Sequence, residues 1–359
     1  MKIDLPLLAP SLADVPAEAA RIAAAGADGT FTFEGQHDPF FPLVLAGEHT
    51  RLELATAIAI AFPRSPMQLA NVAHDLQVFS GGRFTLGLGS QIRTHVEKRF
   101  SATWSKPVAR MREMVLALRA IWRCWNEGER LDFRGEFYRH TLMTPVFTPP
   151  PSPHGPPRVF LAGVGGPMTR MVGEVADGLF VHPLNSPAFL RAVTLPALEA
   201  GFARGGRTRE AFTVNVQALV VTGFTDESFQ KAQEATRIQI AFYGSTPQYR
   251  TVLDAHGWGD VQEELRALSK EGRWLEMGAL VSDEMLDAFS VRCSPPDVPA
   301  RLAARYAGLA DRVSLMCHAN PHRTHPAEWA EVIAACRTAG GDCRSPSDSS
   351  PPKVEPVAH

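Results

Sequence analysis

Side chains able to do chemistry cluster in a few short polar stretches, each directly after an apolar run. The first, FEGQHDP (33–39), brings Glu34, Gln36, His37 and Asp38 together. Glu34 and His37 are the candidate catalytic residues, since a His beside an Asp is of acid–base type. Four polar residues opening a helix are equally cap and first-turn chemistry. The second stretch, GLGSQIRTH (87–95), joins glycines that let a ligand reach the backbone to donors from Ser90, Gln91, Arg93 and His95. The third, AGVGGPMTR (162–170), contains Gly163, Val164, Gly165 and Gly166, then Pro167 and Met168. Pro167 marks a first helical turn, and free backbone N–H groups at such a start attract phosphate. No acidic residue follows at dinucleotide-site spacing, so a Rossmann site is a poor fit. The fourth, CHANPHRTH (317–325), holds Cys317, His318, His322 and His325, a set whose chemistry suits zinc best. Loop histidines are more often solvated or capping, and no carboxylate stands by to orient them, so no metal is expected. His182, at the end of GLFVHPL, and Tyr243 are candidate substrate contacts. Tyr243 belongs to an aromatic and basic segment, 237–258, that reads as a lid over the third to fifth strand ends; packing on an outer helix or a subunit contact explains it equally well.

The elements that must position these groups alternate along the chain. Strand-like runs occupy 3–5, 29–34, 52–61, 83–90, 157–164, 178–184, 212–223 and 311–318, with helical patterns between and after them. Several runs are almost continuously apolar, as in parallel strands covered on both faces. Eight such units imply an α/β fold, a closed (β/α)8 TIM barrel, and the polar stretches above then fall on its carboxyl-terminal rim, where barrels carry function. The third strand ends TAIAIAFPRSP with no ionisable group before Arg64, so it is a wall for a flat ligand or simply core. A corner recurs as GADG, VADG and LADR, placing Asp28, Asp177 and Asp311 at strand starts on the opposite rim, which points to stability. Residues 108–125 put Met111, Met114, Val115, Leu118, Ile121, Trp122 and Trp125 on one helical face. Insertions at about 130–157 (a hairpin and a proline-rich connector) and 225–310 (several helical patterns) complete a barrel domain over 1–340. The Ser- and Pro-rich 341–359 reads as a disordered tail.

Composition narrows the partners. With 36 Lys+Arg against 38 Asp+Glu the chain is near neutral, which argues against binding nucleic acid through a basic surface. The longest apolar run, LATAIAIAF, is about half the ~20 residues of a spanning helix, and the amino terminus lacks a signal-peptide core. Five cysteines without a C-x-x-C pair read as reduced thiols. These features together suggest a cytoplasmic protein acting on a small molecule, with no nucleic-acid or membrane partner; a homodimer remains open.

SGGRFTLGLGSQ, RMREMVLALRAIW, FRGEFY and AGVGGPMTRMVGEVADG together resemble the luciferase-like family of flavin and deazaflavin enzymes. Within it they are most similar to oxidoreductases that use coenzyme F420, over about residues 1–338. The resemblance implies the same eight-stranded barrel, with a deazaflavin ring over a bulge in the third strand that often contains a non-proline cis peptide. Here that bond is Ala57–Ile58. It also implies a phosphate-bearing cofactor tail held at Gly163 to Met168, assisted by Ser90, Gln91 and His95. The His and Glu that do acid–base work in the family's sugar-phosphate dehydrogenases fall at Gly35 and Ile92, so that pair does not transfer and His37 is the nearest titratable group. The expectation is hydride transfer between F420 and a small organic substrate. The alternatives are an FMN-dependent monooxygenase and a barrel that binds cofactor without turnover.

Overall fold

In a computed structural model, residues 1–339 are described; the expected tail, 341–359, lies outside them. Eight parallel strands close into a barrel: β1 Lys2–Pro6, β2 Gly29–Thr32, β3 Glu53–Thr56 continued by Ala59–Ile60, β4 Phe84–Gly89, β5 Arg158–Ala162, β6 Gly178–Val181, β7 Thr213–Val221 and β8 Arg312–Met316. Each pairs with its sequence neighbour, and β7 bonds both β6 and β8 while β8 bonds β1, which completes the circle. The helix Pro107–Glu127 buries the predicted face, Met111 through Trp125, and Trp122 donates its indole N–H to the Ala70 carbonyl.

The three Asp corners are one device used three times. Asp28, Asp177 and Asp311 each donate a backbone N–H to, and accept a side-chain bond from, the second residue of the preceding strand: Ile3, Val159 and Val214. Asp177 adds Arg119 at 2.9 Å and Arg207 at 3.0 Å. Burial alone would raise its pKa, but these guanidinium groups and the Val159 N–H hold it below the usual carboxylate range. Asp177→Ala strands two arginines and one strand-end amide, so we expect a loss of about 2–3 kcal/mol in urea unfolding at neutral pH. A wild-type midpoint would remove the corner from the stability account.

One strand is broken where the family resemblance placed a bulge. The run 52–61 is interrupted at Ala57–Ile58, whose peptide bond is cis. Register shows why: Ala55 pairs with Thr85, but Ala59 pairs with Leu88, so β3 carries one more residue than β4 across the gap. Thr56 Oγ1 fills the broken ladder, donating to the Gly87 carbonyl at 2.8 Å and accepting the Gly87 N–H at 2.9 Å. Only a glycine allows this approach, because a Cβ at position 87 would sit 1.7 Å from the Thr56 carbonyl oxygen.

The first insertion forms an antiparallel hairpin, Phe133–Arg134 with Arg139–His140, whose turn amides at Glu136, Phe137 and Tyr138 all donate to the Glu113 carboxylate. The second builds helices Asp226–Gly244, Arg250–Asp254, Val261–Glu271, Trp274–Ala279 and Asp283–Phe289 around their own apolar cluster. It also contributes a strand the sequence reading did not anticipate, Ser290–Arg292, which pairs in parallel with Leu219–Val221. β7 runs to nine residues, and its carboxyl-terminal end offers an edge beyond the part covered by β6.

Candidate active site at the barrel mouth

Inside the barrel, Phe31, Ala57, Phe160 and Phe180 pack together with Ala55, Ile58 and Ala162 against them. Side chains alternate along a strand, so the next inward positions are Phe33 after β2, Val164 after β5 and His182 after β6. Below this aromatic layer, on the amino-terminal side, lies a cavity of about 930 Å3 lined by Asp4, Glu53, Arg158, Asn215 and Arg312. Its charges are held by partners: Arg312 bonds both Asp4 and Glu53, Lys2 bonds Glu53, and Arg158 donates to the Asp177 carbonyl and the Thr213 hydroxyl. A cavity on the stability rim with paired charges is a poor place for chemistry.

The mouth above the layer is built around the β3 bulge. Thr32 accepts the Ala57 N–H at 2.6 Å, and the Ile58 carbonyl accepts the Glu34 N–H at 3.1 Å. Glu34 Oε2 then accepts the Ile60 N–H at 2.7 Å and the Arg64 guanidinium at 2.6 Å. Arg64 in turn donates to the Ile60 carbonyl at 2.9 Å and lies 5.7 Å from the Phe40 ring centre. The carboxylate of Glu34, 6% exposed, is therefore committed to holding the wall. His37 is exposed and, among the described residues, has no hydrogen-bond or ion-pair partner. The two residues grouped by sequence thus occupy different environments. Arg64, the group that explains Glu34, sits thirty residues downstream, and only the strand pairing reveals the link.

On the β4 side, Gln91 takes a left-handed backbone (φ +60°) and its side-chain oxygen folds back onto the Ile92 N–H, while Ser90 donates to the Gln91 carbonyl. His95 is exposed at the start of a short helical turn. On the β5 side, the helix Gly166–Val175 starts without a side-chain cap. Thr169 N–H reaches the Gly165 carbonyl, Pro167 has no N–H, and the amides of Gly166 and Met168 precede the first intrahelical bond. Gly165, at φ +81° and ψ 153°, occupies a region essentially reserved for glycine, and a Cβ on Gly165 or Gly166 would meet nothing within 4 Å. A cap-free helix start facing open space suits an anion such as a phosphate.

The β6 side carries aromatic groups. His182 Nδ1 accepts the Leu184 N–H at 3.1 Å, which places the proton of the neutral ring on Nε2. Its ring lies 4.5 Å from Tyr243 and 4.2 Å from Tyr249, centre to centre. Burial among them pushes its pKa down to about 3. Tyr243 thus meets the β6 end, and it also accepts a bond from Gln239 Nε2 at 3.0 Å. Gln239 Oε1 in turn lies 2.7 Å from His318 Nε2, beyond β8. Gln239 was not singled out in the sequence, although its spacing of four from Tyr243 on one helix is a readable signal. The four metal-type residues of the last loop go separate ways: Cys317 to the Thr222 carbonyl, His318 to Gln239, His322 to the buried Glu18, and His325 onto the Phe224 ring. Among the described residues no three His, Cys, Asp or Glu side chains converge as metal ligands. Nor is any helix among them long and apolar enough to cross a membrane.

Residues 3–312 match the family described as luciferase-like monooxygenase. An uncharacterized protein of Mycobacterium tuberculosis is 56% identical over 289 residues, covering 80% of this chain and 85% of its own. The 5,10-methylenetetrahydromethanopterin reductase of Archaeoglobus fulgidus is 30% identical over 267 residues, 72% of this chain and 75% of that one. Among solved structures, the coenzyme F420-dependent tetrahydromethanopterin reductase of Methanopyrus kandleri superposes with a TM-score of 0.72 at 19% identity, covering 93% and 96% of the two chains. The chain belongs to the luciferase-like family and is an oxidoreductase-type (β/α)8 barrel.

Proposed function

We propose that the protein is an F420-dependent oxidoreductase that transfers a hydride between the deazaflavin and a small organic substrate. The observation that carries this reading is the uncapped, glycine-opened helix start at Gly165–Gly166, on the same rim as the bulged β3 wall. Bound there, the deazaflavin would supply the hydride, and the protein's part is positioning and exclusion of water. The Gly166 and Met168 amides would hold the phosphate-bearing tail, with Ser90, Gln91 and His95 from the neighbouring loop. Ala57 and Ile58 form the wall for the ring, and Glu34 with Arg64 keeps that wall in place. His182 and Tyr243 face the substrate side, under the helices of the second insertion. His37, open to water, is assigned proton exchange with solvent at the rim, and His37→Ala is the variant that measures it.

The deciding experiment is a fluorescence titration of the full chain with F420 and, separately, FMN, followed by oxygen uptake with the reduced complex. Saturable F420 binding without oxygen consumption supports the reading. FMN binding with oxygen uptake makes the protein a monooxygenase and overturns it. Gly166→Ala sharpens the test, because the added methyl touches no protein atom but enters the space assigned to the phosphate. We expect its F420 dissociation constant to rise about 5- to 100-fold, a loss of about 1–3 kcal/mol, with an unchanged melting temperature. Gly165→Val, at a conformation only glycine adopts readily, should lose at least as much. Unaltered affinity in a folded Gly166→Ala would detach this turn from the cofactor.

A further inference from the structure

We propose that Tyr243 is the hydrogen-bond and proton donor to the oxygen of a carbonyl substrate, oriented for this by Gln239 and His318. The assignment rests on the hydride-transfer reading and extends it to a substrate class, ketones and aldehydes, and a direction, reduction.

The argument is an accounting of protons along one chain of bonds. His318 Nε2 meets the side-chain oxygen of Gln239 at 2.7 Å, and an amide oxygen only accepts, so the imidazole donates. The Gln239 amide nitrogen then faces Tyr243 at 3.0 Å, and an amide nitrogen only donates, so the phenol oxygen accepts. A hydroxyl oxygen that accepts this bond keeps its own proton for another partner. Among the described residues the Tyr243 hydroxyl has no second hydrogen bond, and its ring stands edge-on to His182, the inward residue at the β6 end. The spare O–H is thus held at the mouth. Burial raises the Tyr243 pKa, so the phenol stays protonated at neutral pH and serves as a donor, not a base. The neighbouring groups are less suited. His182 has its Nδ1 occupied by the Leu184 N–H, which leaves a neutral, very weakly acidic Nε2–H, and among the described residues the Tyr249 hydroxyl has no hydrogen bond that orients it. Glu34 is tied to Arg64.

The step balances as a two-electron reduction. The carbonyl carbon takes a hydride from the reduced deazaflavin, forming the new C–H bond, while the C=O π pair moves onto oxygen and takes the Tyr243 proton. The tyrosinate regains a proton from solvent, matching the one released as the deazaflavin becomes oxidised. The products are an alcohol and oxidised cofactor.

The test uses the full chain with F420 and the probes cyclohexanone, acetophenone and benzaldehyde. Turnover is read alongside the infrared stretch of the 13C-labelled carbonyl bound in the non-reacting complex with oxidised F420. We expect at least one probe to be reduced and its bound carbonyl stretch to fall below the value in water. Tyr243→Phe should keep the F420 dissociation constant and melting temperature, lose about 10²–10⁴-fold in kcat and lose the downshift. Gln239→Glu should behave alike, because a carboxylate there accepts the phenol proton and turns it away from the substrate. It also carries the test should Tyr243→Phe fail to fold. Wild-type turnover and downshift in both variants overturn the assignment while leaving F420 use intact. So does a wild type that binds F420 but neither reduces nor polarises any probe. A wild type that does not bind F420 overturns the underlying reading as well.

Discussion

Replacing Arg64 with Met should lower the unfolding free energy by about 3 kcal/mol and, on the proposed reading, weaken F420 binding with it. The guanidinium is the counter-charge of Glu34, whose carboxylate is 6% exposed and also accepts the Ile60 N–H. Removing one member of a buried pair leaves the other charged, desolvated and unpaired, which costs ~3–5 kcal/mol in comparable cases. The lower figure applies because Arg64 keeps some contact with water. Glu34→Gln should be milder, since an amide oxygen still accepts from Ile60 and Arg64 retains the Ile60 carbonyl. Combining the two should recover part of the loss, because neither charge is then stranded. Urea midpoints for the four proteins measure this cycle. Additive losses would mean that the pair does not act as a unit, and a wild-type Arg64→Met would end the claim that it buttresses the bulge.

That pair also shows where the sequence stopped being readable. Barrel staves, the Asp corners and the helix face from Met111 to Trp125 were legible because each rests on local rules: apolar runs, a strand-start acid, a 3.6-residue period. The glycine turn at 163–166 was legible for the same reason, its conformation being set by its own residues. The role of Glu34 was not, because its partners Ile60 and Arg64 come from the adjacent stave and only pairing register brings them across. The break in β3 was hidden from pattern reading, since TAIAIAF is equally apolar with or without an extra residue; the family resemblance supplied it. The last-loop Cys and His residues form a ligand set in type alone. Spacing made them look like ligands, yet their directions differ, and His322 answers to Glu18, more than three hundred residues away. Chemistry that depends on one loop can be read from one loop, whereas chemistry that depends on strand neighbours needs the fold.

His182 gives the strongest pH effect expected of a single side chain. In the folded protein its pKa is pushed down to about 3 by burial, against an ordinary value of 6.5. Its ring and hydrogen-bond contacts are the Tyr243 and Tyr249 rings and the Leu184 N–H, with no carboxylate among them to offset the burial of a positive charge. Between these two pKa values the unfolded chain binds a proton that the native ring refuses. The contribution is therefore fully present above about pH 6.5 and is lost as pH falls towards 3. At pH 4.5 the loss is about 2 kcal/mol relative to pH 7.5, from ~1.4 kcal/mol per unit and allowing for partial solvent contact. His182→Gln removes the titration, so its urea midpoint should fall less than that of wild type over this interval. The same neutrality bears on the proposed substrate contact: a ring that stays uncharged from pH 5 to 8 gives no limb to the pH–rate profile and would present one fixed donor, Nε2–H. A histidine proton resonance that titrates near 6.5 in the folded wild type and vanishes in His182→Gln would contradict both statements. Wild type and variant losing stability in parallel on acidification would contradict the first.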